Sequence, residues 1–395
     1  MSTDIFDKCF SFHAVDDLKK TGCYPYFHRI QSKQGPEIII DGKKKIVVCS
    51  NNYLGLANHP KVIEASISAT KRYGTSCTGS RFLNGTNDLH EKVEKKFAKF
   101  VGKEDAILFT TGHHSNLGAL SSLVSKGEVF ITDKLDHASI IDGCRLSSGE
   151  FVRFRHNDEA DLERQLIKHQ GKAMLIVVDG IFSMEGDIAN LPEISNLAKK
   201  YKARVFIDEA HSLGVIGKNG KGTGEHFNME YEIDVLMATA SKSLASIGGF
   251  IASKSEVVDY IKHNARTMIF TASLPPACVG AIDAALDLVI AEPERRIRLM
   301  EISNKMKEAF KAMGYDTNNS QSPIIPLTAG SDSVAFKMWR MLFDEGVFAS
   351  PVVTPAVPEG HSIIRTSYMA THSDSDLNFI LEKFKKVGKQ LSVIT

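Results

Sequence analysis

Short, unbroken apolar runs separated by longer amphipathic stretches set the rhythm of this 395-residue chain. Ala106-Ile107-Leu108-Phe109 precedes a helix predicted from Ser115, and Val129-Phe130-Ile131 precedes one from His137. Leu175-Ile176-Val177-Val178 precedes one near Leu191, and Val205-Phe206-Ile207 and Val235-Leu236-Met237 extend the series. A strand that is apolar at every position is covered on both faces, as in a parallel sheet flanked by helices. The pattern therefore predicts an α/β fold. Ligands in such folds bind beyond the carboxyl ends of the strands. Asp179, Asp208 and Thr239 stand at those ends.

The flanks read differently. Val15 to Lys20 predicts a short helix, and Ile38-Ile39-Ile40-Asp41-Gly42 a hairpin. A helical stretch from Pro276 to Met313 is interrupted near Pro293. Beyond it come Pro323-Ile324-Ile325-Pro326-Leu327, a helix from Ser333 to Glu345, Ile363-Ile364-Arg365 and a last helix from Asp374. This organisation predicts an N-terminal arm over 1–50, a large domain over 51–289 and a small C-terminal domain over 290–395. The charge-rich run Glu91 to Lys99 reads as a solvated helix face.

Composition narrows the function class. The chain is 43% hydrophobic and 24% charged, as a soluble enzyme is, and too long for one small core. A formal net charge of +1 gives no electrostatic reason to expect nucleic-acid binding. Six cysteines lack any Cys-x-x-Cys spacing, which argues against a metal site or a disulfide framework and for a reducing compartment. The start Met1-Ser2-Thr3-Asp4 is polar, unlike a signal peptide, and no apolar run reaches the ~18–20 residues that span a bilayer. A cytoplasmic protein is expected.

The chemistry concentrates around Thr239-Ala240-Ser241-Lys242 and the following Gly248-Gly249. Most lysines are solvated, but Lys242 follows a strand end and has hydroxyls on either side. An amine in such a place has a lowered pKa and attacks aldehydes. About thirty residues earlier, Asp208 ends another apolar run, with His211 after it. A lysine and an acid at neighbouring strand ends point to a pyridoxal 5'-phosphate (PLP) pocket, the acid pairing with the protonated pyridine nitrogen. The alternatives are Asp208 as a helix cap and His211 as a structural histidine. Gly112 and His113 open a helix after a strand, a natural anion site that Thr239 and Ser241 would complete. His137 is a candidate to lie over the ring, with Asp136 as a helix cap beside it. Arg365, alone in an apolar strand, needs an anion: a substrate carboxylate or a structural salt bridge.

Taken together, Ser50-Asn51-Asn52-Tyr53-Leu54-Gly55-Leu56, Gly79-Ser80-Arg81-Phe82-Leu83-Asn84-Gly85-Thr86, Asp136-His137-Ala138-Ser139, Asp208-Glu209-Ala210-His211 and Thr239-Ala240-Ser241-Lys242 resemble the α-oxoamine synthases. These are fold-type I PLP enzymes that condense an amino acid with an acyl-CoA and release CO2. The resemblance spans nearly the whole chain. It implies a mostly parallel seven-stranded sheet, a smaller C-terminal α/β domain and a homodimer with its active site at the interface. Within the family, the run Asp179 to Asp187 and Met369-Ala370-Thr371-His372 resemble bacterial members that use L-serine and a long-chain acyl-CoA. Siblings that use alanine or glycine, or make a signalling ketone, are the rival reading. A silent partner subunit is disfavoured because Lys242 is present.

The resemblance also implies roles. Lys242 bonds the cofactor aldehyde and removes the α-proton. Asp208 pairs with the pyridine nitrogen and His211 with the phenolic oxygen. Gly112, His113, Thr239 and Ser241 hold the phosphate, with Thr271 from the partner. His137 stacks on the ring. Asn51, Tyr73 and Arg365 contact the amino acid, Tyr73 across the interface. No metal is implied, and peripheral membrane contact is left open. Two positions depart from the family pattern: His113 stands in place of an aromatic residue and Ala240 in place of a bulkier one.

Overall fold

In the computed structural model, residues 4–395 are described; Met1-Ser2-Thr3, most of the start judged unlike a signal peptide, lie outside them. A hairpin of β1 (Glu37–Ile40) and β2 (Lys43–Val47) comes first, after the short helix Ala14–Lys20. The central strands follow: β3 (Asp105–Phe109), β4 (Val129–Asp133), β5 (Glu150–Phe154), β6 (Met174–Asp179), β7 (Arg204–Asp208), β8 (Val235–Thr239) and β9 (Gly249–Ser253). The C-terminal part contributes β10 (Ile324–Gly330), β11 (Val347–Phe348), β12 (Ser350–Val352) and β13 (Ser362–Ser367).

The central strands form a seven-stranded sheet in the order β3-β9-β8-β7-β6-β4-β5. Only β9 runs against the rest. The fold is thus the expected α/β, fold-type I architecture with a mostly parallel sheet. Alternate residues of each inner strand feed two apolar layers. Ile176, Val178, Val205, Ile207 and Leu236 face one layer, while Leu175, Val177, Phe206, Val235 and Met237 face the other. Burial on both faces is why these strands read as continuous apolar runs. Phe206 is fully buried, and trimming it to Ala would cost about 3–5 kcal/mol.

Two short strands escaped the apolar pattern. β5 sits at the sheet edge, and its sequence Glu-Phe-Val-Arg-Phe is half solvated. β9 begins at the second glycine of the pair after Lys242, a segment for which no strand was predicted. The helix expected from Ser115 begins earlier, at Gly112, because Thr111 caps it by accepting the His114 N–H at 3.0 Å. The run Glu91 to Lys99 lies in the helix Asp88–Val101, but it is not simply a solvated face. Glu94 is buried, takes two hydrogen bonds from Arg81 (2.6 and 3.1 Å) and accepts the Leu108 N–H at 2.8 Å.

The interruption near Pro293 is real: helices Pro276–Ala291 and Pro293–Ala312 meet at Glu292. Beyond them, β10, β13 and β12 form an antiparallel sheet covered by the helix Asp332–Asp344, against which the helix Asp374–Gln390 packs. β11 returns to pair with β2, so the N-terminal hairpin is tied to the C-terminal part. Among the described residues, no helix is long and apolar enough to cross a membrane.

Candidate active site

β6, β7 and β8 are adjacent and end in Asp179, Asp208 and Thr239. The three ends line a cavity of about 300 Å³ that also receives Gly112, His113, His137, His211, Ser241 and Lys242. Eight of the twelve site residues singled out from sequence are therefore gathered here by the fold, together with the strand end Asp179. The tight loop after β8 is closed by the Ala240 N–H to Gly248 carbonyl and Ser246 N–H to Ala240 carbonyl bonds, both 2.9 Å. That closure fixes Lys242 at the cavity wall. Burial holds its amine down at about 8, although the Asp208 and Asp179 carboxylates pull the other way.

Asp208 is buried and doubly held. One oxygen accepts the Ala210 N–H at 2.9 Å, and the other accepts the Asn116 amide at 2.7 Å. Asn116 also donates to the Ser139 hydroxyl at 2.9 Å, and its own carbonyl oxygen is buried without a partner among the described residues. His211 places Nδ1 2.7 Å from the Tyr53 hydroxyl. Burial, then the nearby Lys242 and Arg365 charges, lower its pKa well below the ordinary value. His211 is thus a neutral ring, able to share a hydrogen bond without adding charge.

His137, not Asp136, caps the next helix: its ring nitrogen accepts the Ser139 N–H at 3.2 Å. Asp136 instead ties strand ends together, accepting the Asp133 and Asp179 N–H groups, each at 2.9 Å. Asp179 in turn accepts the His137 N–H at 2.9 Å. Burial first, and neighbouring carboxylates second, push Asp136 and Asp179 well above the usual carboxylate range. Burial also lowers the pKa of His137.

The residues fit a phosphorylated aldehyde cofactor. A side chain on Gly112 would sit 2.8 Å from Thr239, so only glycine lets the helix start approach the β8 end. The capping bond leaves the Gly112 and His113 N–H groups without intrahelical acceptors. The hydroxyls of Thr239 and Ser241 lie 2.9 Å apart beside them. These donors suit a phosphate, Lys242 suits the aldehyde, and Asp208 suits a ring cation.

The substrate candidates divide. Arg365 is buried on β13 and donates to the Ser183 carbonyl at 2.6 Å and the Asn51 side chain at 3.2 Å. Among the described residues it has no carboxylate partner, so the salt-bridge alternative is not what the fold builds. Tyr53 reaches from Asn51 (3.3 Å) to His211, which joins Arg365 to the cavity through a hydrogen-bonded chain. Tyr73 and Thr271 do not line the cavity of one chain, and the Tyr73 hydroxyl donates to Asp88 at 2.6 Å. Sequence reading placed Asp179 at a ligand-facing strand end but assigned no part to Asn116 or Tyr53. Asn116 had one signal: it lies four residues past Gly112, on the same helix face.

Residues 43–384 match the family model described as aminotransferase class I and II. The chain is 48% identical to a serine palmitoyltransferase of Sphingobacterium spiritivorum, over 97% of this chain and 96% of that protein. It is 41% identical to an 8-amino-7-oxononanoate synthase of Thermoanaerobacter pseudethanolicus, over 99% of this chain and 100% of that protein. A serine palmitoyltransferase from S. paucimobilis, solved with PLP and myriocin bound, superimposes with a TM-score of 0.95. It is 36% identical, and the match covers 99% of this chain and all of that one.

Proposed function

Starting from the chain's membership of the α-oxoamine synthases, within the aminotransferase class I and II family, we propose that it condenses L-serine with a long-chain acyl-CoA such as palmitoyl-CoA. The products are 3-ketosphinganine, CO2 and CoA, the opening step of sphingolipid synthesis. The observation that carries this reading is the 48% identity to a serine palmitoyltransferase across nearly the whole of both chains.

PLP, when bound, supplies an electron sink for the pair released at the amino acid's α-carbon. The protein's part is placement and proton handling. Lys242, whose burial holds its pKa at about 8, loses its proton far more readily than an exposed lysine and is the base for the α-proton. Asp208, fixed by Ala210 and Asn116, presents its charge to the ring nitrogen. His211 serves the phenolic oxygen, Gly112, His113, Thr239 and Ser241 the phosphate, and His137 the ring face. Arg365 and Asn51 orient the serine carboxylate. That orientation decides which bond at the α-carbon aligns for cleavage, first C–H and later C–CO2, and so suppresses amino transfer. Between those steps the α-carbon bonds to the acyl carbonyl and the CoA thiolate leaves. A proton then returns to the α-carbon.

Tyr73 and Thr271, which do not line the cavity of one chain, are proposed to serve the active site of a second copy in a homodimer. The domain division at about 50 and 289 is supported by the containment of the seven-stranded sheet in 105–253 and by the helix break at Glu292. Six free thiols support a cytoplasmic setting. A second reading, condensation of alanine, is favoured by the 41% identity to the 8-amino-7-oxononanoate synthase. Incubating the purified PLP-loaded protein with serine, alanine or glycine and a series of acyl-CoAs, with products weighed by mass spectrometry, separates the two. A long-chain product formed from serine supports the proposal. Product formed only from alanine or glycine overturns it.

A further inference from the structure

The strands that end in the reactive cavity begin in another one. Met174, Arg204 and Val235, the first residues of β6, β7 and β8, line a cavity of about 640 Å³ at the opposite end of the sheet. That volume lies within the range of small-molecule sites. Its walls are mainly apolar, with Val124, Leu175 and Ile233 among them.

The charged groups around it are committed unequally. Glu128 accepts the Ser125 N–H at 2.7 Å and Glu104 the Ser255 N–H at 3.2 Å. Asp234 is held by the Val205 N–H at 2.9 Å and by Arg204 at 2.7 Å. Lys103, in contrast, donates only to neutral carbonyls, those of Glu230 (2.9 Å) and Ile233. Among the described residues, neither Lys103 nor Lys254 of the same wall has a carboxylate at ion-pairing distance. The Asp234 and Glu230 carboxylates favour the Lys103 charge from beyond pairing distance, so an ammonium partly withdrawn from water is left without a direct counter-ion. Burial outweighs those two carboxylates and lowers the pKa of Lys103.

We propose that this cavity is a second ligand site, which takes an aliphatic carboxylate. The chain lies along Val124, Leu175 and Ile233, and the carboxylate pairs with Lys103 and Lys254. The proposal does not depend on the function assigned to the reactive cavity.

Isothermal titration of the PLP-loaded protein with dodecanoate tests it, beside dodecanol as the uncharged probe and three variants. Val257→Trp fills the cavity from a half-buried wall position, and Lys103→Met and Lys254→Glu remove the cations. The expected results are binding of dodecanoate and roughly tenfold weaker binding of dodecanol and of dodecanoate to either lysine variant. Val257→Trp should abolish binding. Absence of binding to the unaltered protein overturns the proposal, as does equal affinity for acid and alcohol. So does undiminished affinity in both Val257→Trp and Lys254→Glu, which would place the ligand elsewhere, the reactive cavity included. Lys254 is at the surface, so its variant tests the claim even if Lys103→Met fails to fold.

Discussion

Replacing His156 with Gln should remove a pH-dependent part of the protein's stability and loosen the floor of the active site. The ring bridges two carboxylates, Asp133 and Asp187, at 3.0 Å each. Burial opposes its charge, but hydrogen bonds to those two acids win and raise its pKa to about 10. The half-buried Glu185 faces the same charge. A histidine whose folded pKa lies above the ordinary 6.5 stabilises the fold fully below pH 6.5. That stabilisation fades as pH rises through about 10. The interval, at 1.36 kcal/mol per pH unit, sets a ceiling of about 5 kcal/mol. About a quarter of the ring reaches solvent, and screening trims this to roughly 2–4 kcal/mol. Urea unfolding of both proteins between pH 6.5 and 10.5 is the assay. The gap between them should be widest at the acid end and nearly closed at the alkaline end. A gap that stays constant across the range refutes the reasoning. The consequence reaches the site because Asp133 gives its N–H to Asp136, Asp136 accepts from Asp179, and Asp179 holds the His137 backbone.

Three further outcomes are expected. Gly112→Ala should leave the protein folded but weaken PLP retention roughly tenfold to hundredfold, since the new carbon meets Thr239 at 2.8 Å and overpacking costs about 1–3 kcal/mol. An absorbance titration giving an unchanged Kd would count against the phosphate assignment. Arg365→Lys should raise the serine KM at least about tenfold, because an ammonium cannot replace a planar two-pronged donor, and an unchanged KM would remove Arg365 from carboxylate binding. The rate of PLP capture by the cofactor-free protein should rise with pH and level off just above the Lys242 pKa of about 8. Asp208→Asn should move that plateau to lower pH, since Asp208 favours the charged amine. A rate still climbing at pH 10 would contradict a buried, depressed lysine.

The legible part of this protein was the part with local pattern. The inner strands bury both faces, so their apolar runs marked the sheet, and their last residues, Asp179, Asp208 and Thr239, marked the cavity. The edge strand β5 keeps Glu150 in solvent and carries no such run. β9 was not predicted as a strand because its close approach to Gly112 demands glycine at its first position, which weakens the strand pattern. Asn116 grips Asp208 from 92 residues away, and Arg81 grips Glu94 within a run that reads as solvated; no periodicity announces such pairs. His137 takes the capping place expected of Asp136, because the aspartate is engaged between two strand ends. The parts proposed for Tyr73 and Thr271 rest on a second copy of the chain, which no single-chain pattern encodes.

The central claim is that Lys242 and Asp208 engage opposite sides of one PLP molecule. Borohydride reduction of the PLP-loaded protein, followed by peptide mass spectrometry, tests the lysine end directly. The account predicts a pyridoxyl mass on the peptide carrying Lys242 and none in Lys242→Ala. Stable labelling of a different lysine, or no label at all, would contradict it.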